Sequence, residues 1–232
     1  MTLLTSAEWD IVALSLKVSV AAMLACLPVA YALAWLLARR RFPGRMLLDA
    51  AVHLPLVLPP AVTGWVLLLL FGRTGPVGAW LERVLGITLM FRWTGAALAA
   101  AVMALPLAVR AMRLSIEAVD RRLVDAARSL GAGRIRAFAT ITLPLSLPGI
   151  LAGAVLGFAR SIGEFGATIT FVSNIPGQTR TLPLAIYTGL QIPGTEMQVA
   201  RLAAVSVVLS LVALLLSEWL VRRAGGGRAH VL

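Results

Sequence analysis

Long apolar runs alternate with short polar stretches along the chain. Five runs are long enough to cross a membrane as helices, since about 20 apolar residues span the hydrocarbon core. The predicted spans lie at about 11–38, 50–71, 94–113, 147–171 and 199–221. The pattern therefore predicts an all-α fold, a polytopic membrane bundle of about five transmembrane helices, forming a single domain over residues 1–232.

The composition supports a membrane protein. Hydrophobic residues make up 59% of the 232 residues and charged residues only 13%, and the mean hydropathy is +0.91. A soluble domain of this size needs more polar residues to cover its surface. The class of water-soluble globular proteins is therefore excluded.

Basic residues are concentrated in alternate loops. Residues 39–45 contain four arginines and residues 110–136 contain seven, whereas the 172–200 loop contains only Arg180. Because Lys and Arg accumulate in cytoplasmic loops, the net charge of +11 reflects membrane orientation rather than nucleic-acid binding. The pattern predicts the N-terminus outside, the C-terminus inside and a cytoplasmic loop at 114–146.

Few residues are suited to catalysis or metal binding. The single cysteine, Cys26, lies in an apolar run, and the two histidines, His53 and His230, are far apart in sequence. We expect no metal site and no cofactor. A membrane enzyme using Glu164, Asp49 or His53, and a membrane scaffold, are weaker alternatives, because no nucleophile–base set is visible. The sequence has no G-x-x-x-x-G-K-[ST] loop, so we do not expect the chain to hydrolyse ATP.

The cytoplasmic loop contains an amphipathic segment. From Ile116 to Leu130 apolar residues recur at helical spacing, and Gly131 is suited to end the helix. A second short stretch follows, after which Pro144 and Pro148 are expected to reset the chain into the fourth span. Taken alone, the amphipathic segment is equally consistent with a surface helix lying on the membrane.

The spacing of residues in this loop matches a known pattern. Asp125-Ala126-Ala127 is followed after three residues by Gly131, and after nine more by Ile141-Thr142-Leu143-Pro144. This resembles the EAA loop of ABC importer permeases of type I, with Asp125 in place of the usual glutamate. The resemblance implies a coupling helix that docks into a separate ATPase subunit, which binds the ATP. The implied coupling residues are Asp125, Ala126, Ala127, Gly131, Ile141, Leu143 and Pro144.

Two charges interrupt the fourth predicted span. Arg160 and Glu164, in the stretch ARSIGEFGAT, are one helical turn apart, so their side chains can pair. Ionisable residues within a membrane are costly, which favours a functional role for them. With the hydroxyl groups of Ser161 and Thr168, they are candidates for a translocation path or gate. The alternative is a charge pair that only locks the bundle.

Three glycines precede these charges in the same predicted span. Gly149, Gly153 and Gly157 are four residues apart, so they lie on one helix face. A stripe of small residues lets helix backbones approach closely. The stripe is predicted to pack helices, either within one subunit or between two.

The wider sequence resembles the permease subunits of molybdate importers. The resemblance rests on FARSIGEFGATITFVSNIPGQTRTLPLAIY and LPLVLPPAVTGW, and extends from SAEW to SEWL. Because R-x-x-G-E-[FY]-G is shared with sulfate permeases, this core indicates only tetrahedral oxyanions, and sulfate, thiosulfate and tungstate stay open beside molybdate. The family implies a lipid-embedded protein of the bacterial cytoplasmic membrane. Its implied partners are a second permease copy, as a homodimer or heterodimer, two ATPase subunits and an external oxyanion-binding protein.

Overall fold

The computed structural model describes residues 4–225, which are helical apart from short connections. Over this range, eleven α-helices and one π-helical segment follow one another. The first six helices are α1 (Ser6–Arg39), α2 (Arg45–Val57), α3 (Pro60–Phe71), α4 (Pro76–Leu85), α5 (Trp93–Glu117) and α6 (Arg121–Ser129). The others are α7 (Arg134–Ala137), the π segment (Phe138–Thr142), α8 (Leu143–Ile162), α9 (Gly166–Val172), α10 (Leu182–Gly189) and α11 (Glu196–Gly225).

Several of these helices have the length and composition of membrane spans. Four are long and apolar enough to cross: Ser6–Arg39, Trp93–Glu117, Arg134–Ile162 and Glu196–Leu216. Helices α2 and α3 together have the composition of a fifth span but are bent by 119° at the break between them. Pro59 lies in this break and Pro60 begins α3, and neither has an N–H to continue α2. The prediction of an all-α bundle with about five spans is confirmed, and its second span is broken.

Helix α5 lies at the centre of the packing. Both α1 and α8 pack along its length and against each other. The residues of α5 that face these contacts are small, and Ala96, Ala100, Ala104 and Ala108 are fully buried. Because each side chain is a single methyl group, neighbouring helix backbones can approach α5 closely.

The glycine stripe of α8 packs inside this chain. A Cβ atom added to Gly153 would lie 3.1 Å from the carbonyl oxygen of Ala108 in α5. One added to Gly157 would lie 2.5 Å from the terminal methyl carbon of Met23 in α1. Gly149 is equally close to α5, where an added Cβ would overlap Ser115. Within this chain the stripe packs α8 against α5 and α1.

The fourth predicted span, 147–171, is not one continuous helix. Helix α8 ends at Ile162 and α9 begins only at Gly166. Between them, the carboxylate of Glu164 accepts the backbone N–H of Ala167 at 2.8 Å and so caps α9. The apolar run at 147–171 therefore contains a break, because its hydropathy indicates the length of a span and not the continuity of its backbone hydrogen bonds.

Pro144 and Pro148 do not reset the chain. Both lie within one continuous helical rod, Arg134–Ile162, which runs from α7 through the π segment into α8. In the π segment the N–H of Leu143 donates to the carbonyl of Phe138, five residues earlier. This wider turn just before Pro144 accommodates a residue that lacks an N–H.

Polar side chains tie the helix ends together. Glu8 of α1 is fully buried and accepts two hydrogen bonds from Arg201 of α11, at 2.8 and 3.0 Å. At the opposite end of α1, Arg39 donates to the carbonyl oxygens of Ile116 and Val119, at 2.8 and 2.9 Å. Both ends of α1 are therefore fixed, one to α11 and the other to the end of α5.

Candidate functional site

The predicted coupling helix is shorter than its sequence pattern suggests. Helix α5 continues to Glu117, so Ile116 is buried in the bundle. Helix α6 begins after Asp120, whose carboxylate caps it by accepting the N–H of Arg122 at 2.9 Å. The prediction of one helix from residue 116 is wrong, because the first apolar residues of the pattern, Ile116 and Val119, are buried in the bundle and precede α6. The predicted helix end at Gly131 is confirmed.

Gly131 ends α6 through its backbone conformation. Its φ angle is +90°, in the left-handed region. Its N–H donates to the carbonyl of Arg128, and the N–H of Ala132 donates to that of Ala127, both at 3.0 Å. These are the two hydrogen bonds of a Schellman motif. A Cβ atom added to Gly131 would have no neighbour within 4 Å, so a larger side chain would fit. Glycine is required here by the left-handed backbone conformation.

One surface of α6 and of the loop after it is open to solvent. Asp125 and Ala126 are exposed and Ala127 is half-buried. Nearby, Leu130 and Ile135 are 89% and 85% exposed. An open depression of about 540 Å³ is lined by residues between Asp125 and Arg134. The depression itself is lined by charged, polar and small residues, and the exposed side chains of Leu130 and Ile135 lie outside it. Exposed large apolar side chains beside a polar depression are typical of a protein-docking surface.

The second half of the predicted coupling motif lies on the rod beside α6. Helix α6 packs against α7 and the π segment. Ile141 is half-buried there, and Leu143 and Pro144 are exposed at the start of α8. The structure thus gathers both halves of the motif at the end of the bundle where α5 stops. We call this region the coupling surface.

Arg160 and Glu164 meet across the helix break. The guanidinium Nη1 of Arg160 lies 2.7 Å from Oε2 of Glu164, a charge contact without an aligned N–H···O hydrogen bond. The other carboxylate oxygen caps α9 through the N–H of Ala167. Pairing of the two charges was expected within one helix, but Arg160 ends α8 and Glu164 lies beyond it. The ion pair therefore bridges two helical segments.

The other two residues of the predicted path point away from solvent. The Ser161 hydroxyl lies 3.9 Å from the sulfur of Met23 and is buried. Thr168 is buried on α9. Of the four side chains, only that of Arg160 is partly exposed. The break opens onto a lateral cavity of about 340 Å³, whose lining includes Gly163, Phe165, Tyr187, Ser206 and Ser210.

The break between α8 and α9 touches the break between α2 and α3. A Cβ on Gly166 would lie 2.7 Å from the Cβ of Pro60, and one on Gly64 would lie 2.6 Å from the carbonyl oxygen of Ala167. Helices α3 and α9 are therefore packed backbone to backbone. Pro60 and Gly64 were not predicted as site residues. A proline pair followed by a glycine inside an apolar run is the signal that could have indicated them.

Two broken spans and an exposed helix between the third and fourth spans are consistent with a transport permease. Residues 30–226 match the family described as binding-protein-dependent transport system inner membrane component. The chain belongs to this family and is a multi-pass membrane protein of an ABC-type transport system.

Relatives of known name share most of the chain. It is 60% identical over 220 residues to the molybdenum transport system permease protein ModB of Escherichia coli (strain K12), covering 95% of this chain and 96% of that protein. It is 57% identical over 216 residues to the ModB protein of Haemophilus influenzae, covering 93% and 94%. In a crystal structure of a bacterial alginate ABC transporter with its periplasmic protein, a chain superposes with a TM-score of 0.73 at 19% identity, covering 94% of this chain and 80% of that one. The last likeness shows the fold alone.

Proposed function

We propose that this chain is the permease subunit of an ABC importer that moves molybdate across the cytoplasmic membrane by ATP-driven alternating access. The observation that carries the proposal is the coupling surface, an exposed helix with uncovered apolar residues at one end of a membrane bundle. Molybdate follows from the relatives, whose names assign them to molybdenum transport. Sulfate, thiosulfate and tungstate are the alternative oxyanions.

The coupling surface fits a separate ATPase subunit. Asp125, Ala126 and Ala127 would face it, and the small side chains allow its surface to approach the α6 backbone. Two copies of the ATPase would bind and hydrolyse ATP, and this chain would use no cofactor and no metal. A second permease copy would complete the path. An external molybdate-binding protein would deliver the ion.

The helix break is our candidate for the path or gate. Arg160 supplies a cation for a dianion, and Glu164 holds that cation in place. Because Ser161 and Thr168 are buried, their role as path residues would require a conformation in which the break opens. A permeation site must bind its ion loosely enough to release it, which suits a partly compensated arginine.

Uptake by the reconstituted complex tests this function. The permease and its ATPase are co-purified and placed in liposomes with ATP inside and the loaded binding protein outside. We expect uptake of labelled molybdate that stops without ATP. A matched experiment with the sulfate-loaded partner protein measures the main alternative. Copurification without any oxyanion uptake would contradict the proposal.

Reporter fusions test the proposed orientation, with the N-terminus outside and the C-terminus inside. Fusions after Arg45 and after Leu232 are expected to report the cytoplasm, and a fusion near Val84 the outside. A cytoplasmic signal from the Val84 fusion would contradict the topology, whatever the substrate.

A further inference from the structure

The connection between α9 and α10 lies at the end of the bundle opposite the coupling surface. Helix α9 ends at Val172, whose side chain contacts Gly95 in the first turn of α5, where an added Cβ would lie 2.6 Å from Cγ1. The coupling surface follows the last turn of α5. Residues 173–181, here named the outer loop, therefore face the outside in the proposed orientation.

The outer loop is held rigidly by its own hydrogen bonds. The carbonyl of Ile175 accepts the N–H groups of Gln178, Thr179 and Arg180, at 2.9–3.1 Å. The hydroxyl of Thr179 is fully buried, accepts the N–H of Ile175 at 2.8 Å and donates to the carbonyl of Ser173 at 2.9 Å. Ser173 has a φ angle of +64°, which a non-glycine residue adopts only when its surroundings enforce it. The loop thus has one defined shape.

This rigid loop fixes one arginine. The Nε–H of Arg180 donates to the side-chain oxygen of Asn174 at 3.0 Å. The amide nitrogen of Asn174 donates to the hydroxyl of Thr188 at 2.6 Å, and that hydroxyl donates to the carbonyl of Leu184 at 2.9 Å. Three consecutive hydrogen bonds therefore anchor the guanidinium group to helix α10.

The anchored guanidinium group has N–H donors that are not hydrogen-bonded within the described residues. Among the side chains that the structure describes, no carboxylate lies within 4.0 Å of Arg180, and only the Nε–H of Arg180 is hydrogen-bonded. The neighbouring hydroxyl of Thr181 is buried and also lacks a hydrogen-bond partner in the described range. Arg180 is half-buried, so its two terminal nitrogens can still be reached from solvent. Arg180 is thus a positioned cation with no counter-ion among the described side chains.

We propose that Arg180 is the first contact of the permease for an incoming oxyanion, at the outer end of the path. A planar guanidinium fixed at Nε presents two parallel N–H groups, the geometry that binds two oxygens of one anion. A small tetrahedral ion can reach a half-buried side chain more easily than a carboxylate on the surface of a docking protein can. The inference rests on the proposed oxyanion-import function and adds a residue to it.

The test uses the complete complex in liposomes with loaded binding protein outside. Arg180→Gln removes the charge, and Arg180→Lys keeps it without the planar pair of donors. The matched control is Arg83→Gln, since Arg83 is exposed on α4, at the same end of the bundle, and has no carboxylate within 4.0 Å in the described part of the chain. Maximal uptake, the half-saturating concentration of loaded binding protein and the melting temperature are measured for each.

We expect Arg180→Gln to lower maximal uptake by about tenfold or more, because a hydrogen bond to a charged group contributes at least that factor. The half-saturating concentration should change less than about twofold, and ATP hydrolysis stimulated by the binding protein should persist. Arg180→Lys should recover part of the rate, and Arg83→Gln should match the wild type.

Two results would overturn this role. A raised half-saturating concentration with normal maximal uptake would make Arg180 a docking contact for a carboxylate on the binding protein. Equal loss of uptake and of melting temperature in the Gln and Lys variants would make it only a brace for the outer loop. If the wild-type complex carries sulfate and not molybdate, the proposed substrate fails, while the Arg180 comparison is run with sulfate. If it carries no oxyanion, both proposals fail.

Discussion

Removing the two charges at the helix break one at a time is expected to have unequal effects on stability. The Glu164 side chain is 2% exposed and that of Arg160 is 27% exposed. Arg160→Leu leaves a buried carboxylate without its counter-ion. Glu164→Gln instead leaves a cation that is only partly buried, and the glutamine oxygen can still accept the N–H of Ala167. Arg160→Leu should therefore be the more damaging change.

The magnitudes follow from the distance and the burial. At 2.7 Å, two unit charges attract by about 6 kcal/mol at an effective dielectric constant of about 20, before desolvation is subtracted. Loss of one partner from a buried pair costs about 3–5 kcal/mol, which we expect for Arg160→Leu. For Glu164→Gln we expect a smaller loss of about 1 kcal/mol, the difference between a hydrogen bond to a charged acceptor and one to a neutral acceptor, since the glutamine oxygen still accepts the N–H of Ala167. The double variant Arg160→Leu/Glu164→Gln should recover most of the loss.

The assay is the thermal unfolding midpoint of the purified chain in detergent. Arg160→Leu/Glu164→Leu should be less stable than the Leu/Gln double variant, because the N–H of Ala167 then loses its acceptor. The control removes the exposed pair Arg73–Glu82, whose atoms are 3.2 Å apart, and should change stability by less than about 1 kcal/mol. The reasoning is refuted if Glu164→Gln is as destabilising as Arg160→Leu, or if the Leu/Gln double variant recovers nothing.

Two glycine substitutions make further predictions. Gly131→Ala should destabilise the end of α6 by about 1 kcal/mol and reduce copurification of the ATPase, since φ is +90° there, whereas Gly133→Ala, with ordinary φ and free space, should not. Gly149→Ala should lower the melting temperature by overpacking against Ser115, at a cost of about 1–3 kcal/mol, whereas Gly163→Ala, whose nearest neighbour would be 3.8 Å away, should have little effect. Equal behaviour within either pair would contradict the corresponding packing argument.

Sequence patterns predicted the helical class and the approximate spans because both depend on apolar length alone. They also predicted the end of α6, since a glycine after an amphipathic segment is a local signal. They did not predict the break after Ile162. Glu164 caps α9 by hydrogen bonding to Ala167. Its charge stands out in the apolar run, but its spacing from Arg160 indicates a pair within one helix and not a cap on a second helix.

Contacts between residues far apart in sequence were the least predictable part of the structure. Glu8 and Arg201 are 193 residues apart in sequence. In the sequence, each one is only a charged residue near a helix end, with nothing to indicate its partner. The start of α6 was misplaced for a similar reason. Ile116 continues the apolar pattern of the segment after it, but it is buried in the core and its carbonyl accepts a hydrogen bond from Arg39, so it belongs to α5. Sequence spacing cannot tell which partner an apolar face will meet.

In the proposed transport cycle, the continuous rod from Arg134 to Ile162 would act as a lever. It has 29 residues and is therefore about 43 Å long. One end adjoins the coupling surface and the other ends at the break held by Arg160 and Glu164. A tilt of about 5° about one end moves the other by about 4 Å, more than the length of a hydrogen bond. Motion imposed at the coupling surface would thus reach the ion pair through continuous helix, with no intervening loop.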